Sequence, residues 1–248
     1  MQKLSLNRNQ LKYLAIAAMI IDHIAWLFVP TDSVLGFVMH FFGRLTAPIM
    51  TYFIAEGYRH THNVKRYALR LAVFAAISWL PFVWFESGRV ITEVGGLTVL
   101  RLIPQSMIFT LLICLLAVWF WDKGESGKLV KILGVIALSL VTLYSDWFCV
   151  AVFFTLNFYI KRDNKRAMWL DYCIISAAFI IGLSILNRSF TDFIYLLGLF
   201  LAPIIIGGLY NGEPGKKSGF NKWFFYIFYP GHLIILCIVR EIVERLSY

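Results

Sequence analysis

The stretch Leu11–Val29, LKYLAIAAMIIDHIAWLFV, decides the fold class. It is an apolar run long enough to cross a bilayer as a helix, so a spanning segment is expected here in place of a cleavable signal. Two ionisable residues, Asp22 and His23, sit inside it. Charged groups at that depth are expensive, by roughly 2.5–3.5 kcal/mol on insertion scales, so they mark an internal polar site rather than a packing preference.

The rest of the chain repeats the pattern. Its 248 residues are 60% hydrophobic and 17% aromatic, and the 15% that are charged gather in short clusters between apolar runs. Mean hydropathy is +0.73, above that of an ordinary soluble domain. In lipid only helices and closed barrels satisfy every backbone group, and the alternating ten-residue segments of a barrel are missing from the sequence. The expectation is an all-α, polytopic helical bundle forming a single domain over 1–248. Nine spans are expected, at about 10–29, 34–57, 67–86, 104–121, 129–144, 146–160, 169–187, 190–210 and 223–243, with boundaries good to two to four residues. The fifth and sixth are short and are readable either as full helices or as a re-entrant pair.

Nine spans divide the basic residues unevenly. Of 23 Lys and Arg, seventeen fall in the N-terminal segment and the loops near 59–70, 123–131, 161–166 and 216–222. Five (Arg89, Arg101, Arg188, Arg240, Arg245) fall on the opposite side, and Arg44 is intramembrane. The positive-inside rule leads us to expect the N-terminus in the cytoplasm and the C-terminus outside. It also accounts for the net charge of +9 without invoking nucleic acid. Segment 87–103 is the longest external loop, with Gly88, Gly95 and Gly96 letting it fold back over the bundle. Four isolated cysteines have no metal or redox spacing and are expected to be packing residues.

Measured along ideal helices, His23 lies about 18 Å from the cytoplasmic end of its span, Arg44 about 15 Å from the external end of the next, and His232 about 13 Å into the last. These depths nearly coincide. Sequence neighbours point about 100° apart, so Asp22 does not face His23; Arg44 is its expected partner, in a bidentate ion pair. His23 is then left to handle protons at neutral pH. Pro48 and Pro230 remove helix donors next to Arg44 and His232 and should kink both spans. A plain packing cluster is the alternative, though such clusters favour Ser, Thr and Asn over full charges.

A second cluster, Glu56 through Arg66, lies at the cytoplasmic mouth of the second span. Arg59, His62, Asn63, Arg66 and Arg70 beside a helix start suit a phosphate-rich ligand, while ordinary positive-inside charge explains most of them equally well. Asp146 and Tyr229 are further polar candidates, at a turn tip and in an aromatic run.

Several motifs together carry a family resemblance: Ile21-Asp22-His23-Ile24, Gly43-Arg44-Leu45 with Pro48, Glu56-Gly57, Thr61-His62-Asn63, Ile108-Phe109-Thr110-Leu111, Ser145-Asp146, Asn211-Gly212, and Trp223 through Tyr226 running into Phe228-Tyr229-Pro230 and His232. In that order, over nearly the whole chain, they resemble the TraX family. The resemblance implies a polytopic inner-membrane acetylase of the kind that modifies conjugative pilin, akin to acyltransferases that draw acetyl-CoA from the cytoplasm. It points to Asp22 and His23 as catalytic residues, with less weight on His232; beside them Arg44 or His232 is expected to stabilise the oxyanion. The basic mouth would then hold acetyl-CoA, and Glu56, Asp146 and Tyr229 would face a peptide, pilin-like or envelope acceptor. A proton-coupled transporter or flippase, or a non-catalytic partner of a secretion or conjugation apparatus, would use the same buried charges differently.

Overall fold

The computed structural model describes residues 5–94, 97–125, 127–188, 191–216 and 218–247. Lys3, Gly95, Gly96 and Lys217, which figured in the sequence reading, lie outside them. The chain is mostly helical: α1 (Arg8–Phe28), α2 (Val34–Gly43), α3 (Thr46–His60), α4 (Val64–Ser87), α5 (Met107–Lys123), α6 (Lys128–Val141), α7 (Val150–Ile160), α8 (Lys165–Leu186), a 3-10 segment (Thr191–Leu201) running into a π segment (Pro203–Leu209), and α9 (Gly219–Leu246). Among the described residues, five stretches are long and apolar enough to cross a membrane: Arg8–Phe28, Val34–His60, Val64–Ser87, Lys165–Leu186 and Trp223–Leu246.

Three departures from the expected outline have physical causes. The span expected at 34–57 is two helices, interrupted at Arg44–Leu45. Pro48 has no N–H for the Arg44 carbonyl and its ring crowds that position, so the second helix restarts at Thr46 with proline in its first turn. The expected 87–103 loop contains an antiparallel hairpin, β1 (Ile91–Val94) paired with β2 (Leu97–Leu100) in the register Ile91↔Leu100 to Val94↔Leu97. The 190–210 span is not α-helical but 3-10 and π, with Pro203 at the change of pitch.

The chain packs as two compact units, each made of two separate stretches: 1–56 with 153–218, and 57–152 with 219–248. In the first unit, α1 starts with a capping box in which Asn7 and Gln10 exchange side-chain and backbone bonds of 2.9 and 3.0 Å. Aromatic rings fill much of its core: Phe158 stacks on Tyr172 at 5.5 Å and meets Tyr52 edge-on at 5.3 Å. Tyr172 is fully buried, and its hydroxyl donates to the Leu199 carbonyl at 3.0 Å. Glycine lets the 3-10 segment lie directly on α2, since a Cβ at Gly198 would fall 1.8 Å from the Phe41 carbonyl oxygen.

In the second unit α4 packs against α5 and α9, and α5 against α6. The Gln105 N–H donates to the Tyr144 carbonyl at 2.8 Å, and the Asp146 N–H to the Gln105 carbonyl at 3.0 Å. The turn after α6 therefore returns to the start of α5. At the other end Lys131 Nζ donates to the Trp121 carbonyl at 2.8 Å. The two helices run antiparallel over the same extent.

Candidate functional site

In the first unit α1 brings Asp22 against α2, where His40 and Arg44 follow one another at a spacing of four and so share a face. All three are buried, His40 completely. The Asp22 carboxylate divides its oxygens. Oδ2 accepts from Arg44 Nη2, and Oδ1 lies 2.8 Å from His40 Nδ1. Arg44 also turns its Nε to the His40 carbonyl at 3.2 Å. The expected Asp22–Arg44 pair is present, but the second carboxylate oxygen goes to His40 instead of completing a fork with the guanidinium. Close approach depends on Gly43, where an added Cβ would fall 2.5 Å from the Asp22 carboxylate.

Aromatic rings complete the surroundings. Trp26 lies 4.4 Å from the His40 ring and Tyr195, from the 3-10 segment, lies 5.3 Å away. The Arg44 guanidinium sits 5.3 Å over the Tyr195 ring, a cation–π contact. His23, next to Asp22 on α1, is also buried.

Near the N-terminal end of α1 there is a second polar group. Arg8 Nη2 pairs with Glu56 Oε1 at 2.8 Å. Tyr210 donates its hydroxyl to the same carboxylate, 2.8 Å from Oε1 and 3.0 Å from Oε2. Backbone bonds reinforce it: the Leu6 N–H to the Leu209 carbonyl at 2.7 Å, the Asn211 N–H to the Leu6 carbonyl at 3.0 Å, and the Arg8 N–H to the Glu213 carbonyl at 2.8 Å. Glu56, expected to face an acceptor, thus ties the start of α1 to the end of the π segment.

His232 belongs to the second unit, where its ring stacks on Phe228 at 5.2 Å with planes 4° apart. Its Nδ1 lies 3.1 Å from the Phe228 carbonyl. Tyr229 accepts the Met107 N–H at 3.1 Å, supplying the cap that Ser106 does not give α5. Asp146 contributes backbone, its carbonyl accepting from Thr110 Oγ1 at 2.7 Å.

The basic mouth is the α3–α4 turn. Arg59, His62, Asn63 and Arg66 are exposed, and Asn63 Oδ1 caps α4 by accepting the Arg66 N–H at 2.8 Å. The Arg70 guanidinium lies 5.6 Å over Tyr67, and its Nε is buried with no hydrogen-bond partner among the described residues. These cations and the open end of a 24-residue helix fit an anionic, phosphate-bearing group. Asn63 serves that end as its cap.

Sequence reading missed His40. The signal was present, a histidine four residues before an intramembrane arginine, but it lay outside the quoted motifs.

A family model described as TraX protein matches residues 7–240. The chain is also 31% identical over 241 residues to a protein of Dichelobacter nodosus named "Probable fimbrial assembly protein FimC, serogroup H1", covering 95% of this chain and 96% of that protein. No solved structure matches.

Proposed function

The chain is a membrane protein of the TraX family, and from that premise we propose that it is an acetyltransferase of the cytoplasmic membrane. It takes acetyl-CoA on the cytoplasmic side and acetylates an amine or hydroxyl of a peptide, pilin-like or envelope acceptor. The observation that carries this reading is the Asp22-centred cluster, two full charges and an imidazole held together between apolar helices. A group-transfer site needs fixed charge where charge develops and a base within reach of the acceptor. The fimbrial role named for the Dichelobacter relative favours a pilin-like acceptor.

Nine crossings with a cytoplasmic N-terminus are part of the proposal. Within the first unit, the contacts of Leu6, Arg8, Glu56 and Tyr210 gather the N-terminal segment, the end of α3 and the 209–213 segment at one end, as that topology requires. Within the second, Arg240 donates to the carbonyls of Trp84 and Phe85, bringing the last turns of α4 and α9 level.

Arg59, His62, Arg66 and Arg70 would bind the phosphates of CoA, with Asn63 shaping the helix end between them. Attack by the acceptor on the thioester would then use His23, the base expected from the sequence, while Arg44 supplies positive charge for the oxyanion. Calorimetric titration of detergent-purified protein with acetyl-CoA is the direct test, together with release of CoA thiol in the presence of a peptide with a free N-terminal amine. Saturable binding and amine-dependent thiol release are expected, and the Arg66→Ala/Arg70→Ala double variant should bind at least tenfold more weakly. Absence of both binding and release would favour a carrier, which has no use for a CoA site.

A further inference from the structure

His40 is the group in the cluster with an unused reactive atom. Its Nδ1 faces the Asp22 oxygen at 2.8 Å, and a carboxylate in an ion pair only accepts, so Nδ1 carries the proton. A neutral ring with Nδ1 protonated presents a bare lone pair at Nε2. That nitrogen is buried with no hydrogen-bond partner among the described residues. The remaining freedom of the ring is taken up by Trp26 and Tyr195, at 4.4 and 5.3 Å. A histidine kept only for packing would be expected to end both nitrogens on partners, because an unpaired buried nitrogen is destabilising. Here tautomer and orientation are both set and the basic nitrogen is left open, the arrangement in which an acid holds an imidazole for general-base work.

We propose that His40 Nε2 is the proton-accepting atom of the transfer, with Asp22 and Arg44 as positioning residues behind it. The proposal rests on the acetyltransferase reading above and assigns its base to α2 rather than to His23. As the acceptor nitrogen or oxygen bonds to the thioester carbonyl carbon, its proton passes to Nε2. The tetrahedral adduct then collapses, the carbon–sulfur bond breaks, and the same proton leaves with the sulfur as CoA thiol. Trp26, whose ring lies 4.4 Å from that of His40 at a tilt of 50°, is itself 45% exposed and so lies between that ring and the surface.

The test uses the full-length protein in detergent, acetyl-CoA as donor and a peptide with a free N-terminal amine as acceptor, with thiol release followed from pH 5.5 to 9. In His40→Asn the amide nitrogen stands where Nδ1–H stood and still donates to Asp22, while Nε2 is gone. The expected result is a loss in kcat of about 10²–10⁴-fold, a KM for acetyl-CoA within about twofold of wild type, and disappearance of the acid limb of the pH profile. His23→Asn should keep that limb. Should His40→Asn not fold, nitrogen-15 spectra of histidine-labelled wild-type protein decide instead, with His40 expected to show a protonated Nδ1 and a bare Nε2 at neutral pH. Wild-type turnover together with a His40→Asn variant of unchanged kcat and profile, or a protonated Nε2 on His40 at neutral pH, overturns the assignment and leaves the acetyltransferase reading standing. A wild-type protein that releases no thiol removes both.

Discussion

The candidate site's side chains end on different things in the two units. In the first unit they end on one another: Asp22 on Arg44 and His40, Glu56 on Arg8 and Tyr210. In the second they end mainly on backbone: Tyr229 on the Met107 amide, His232 on the Phe228 carbonyl, Arg240 on the ends of α4. A side chain spent on backbone serves helix geometry and has one task. A charged side chain spent on other side chains holds a constellation whose parts are individually replaceable, which is the form a reactive site takes. On the reading proposed above, the first unit would carry the transfer chemistry, and the second would carry helix geometry and the CoA-binding turn.

The contrast is broken most directly at Asp22. Asp22→Ala leaves Arg44 and the His40 N–H buried together without their acceptor, and breaking a buried pair from one side costs about 3–5 kcal/mol. Unfolding in detergent, followed by circular dichroism, should show that loss, and Asp22→Ala/Arg44→Leu should recover part of it. A cost no larger than that of Tyr229→Phe would erase the distinction between the units. Gly43→Ala should come next, since the new methyl meets the Asp22 carboxylate at 2.5 Å. Overpacking of that kind costs about 1–3 kcal/mol and should lower thiol release together with the melting midpoint.

Tyr229→Phe sharpens the comparison from the other side. It removes the acceptor of one helix-terminal amide and should cost about 1 kcal/mol, with turnover at a temperature well below the midpoint unchanged. A selective loss of kcat would move His232 and Tyr229 into the chemistry. Tyr210→Phe should be the mildest, about 0.5–1 kcal/mol by the same unfolding assay, because Arg8 still neutralises Glu56.

The sequence was most legible where physical necessity was strongest. A carboxylate and a guanidinium inside apolar runs require a counter-charge, so Asp22 and Arg44 announced each other. Pro48 announced a disturbance beside Arg44 but not its size, since a kink and a full break share one cause. His40 stayed hidden although His23 and His232 did not, because it lay outside the motifs and the turn of helix that joins it to Arg44 was not followed back. The hairpin at 91–100 was hidden too, its four-residue strands too short for alternation to stand out. Pitch in 191–209 left no mark either, because 3-10, α and π helices draw on the same apolar residues, and Gly198 and Pro203 are common in membrane helices of every kind.

The pairing of Leu6 with the segment around Tyr210 bears on how the protein is made. Synthesis runs from the N-terminus, so α1 and α2 enter the bilayer as neighbours and can neutralise Asp22 against Arg44 at once. Arg8 and Glu56, by contrast, wait for Tyr210 until some 150 further residues have left the ribosome. The early hairpin is therefore safe to insert but unfinished, and the last stitch of the first unit closes only when most of the second has already been translated.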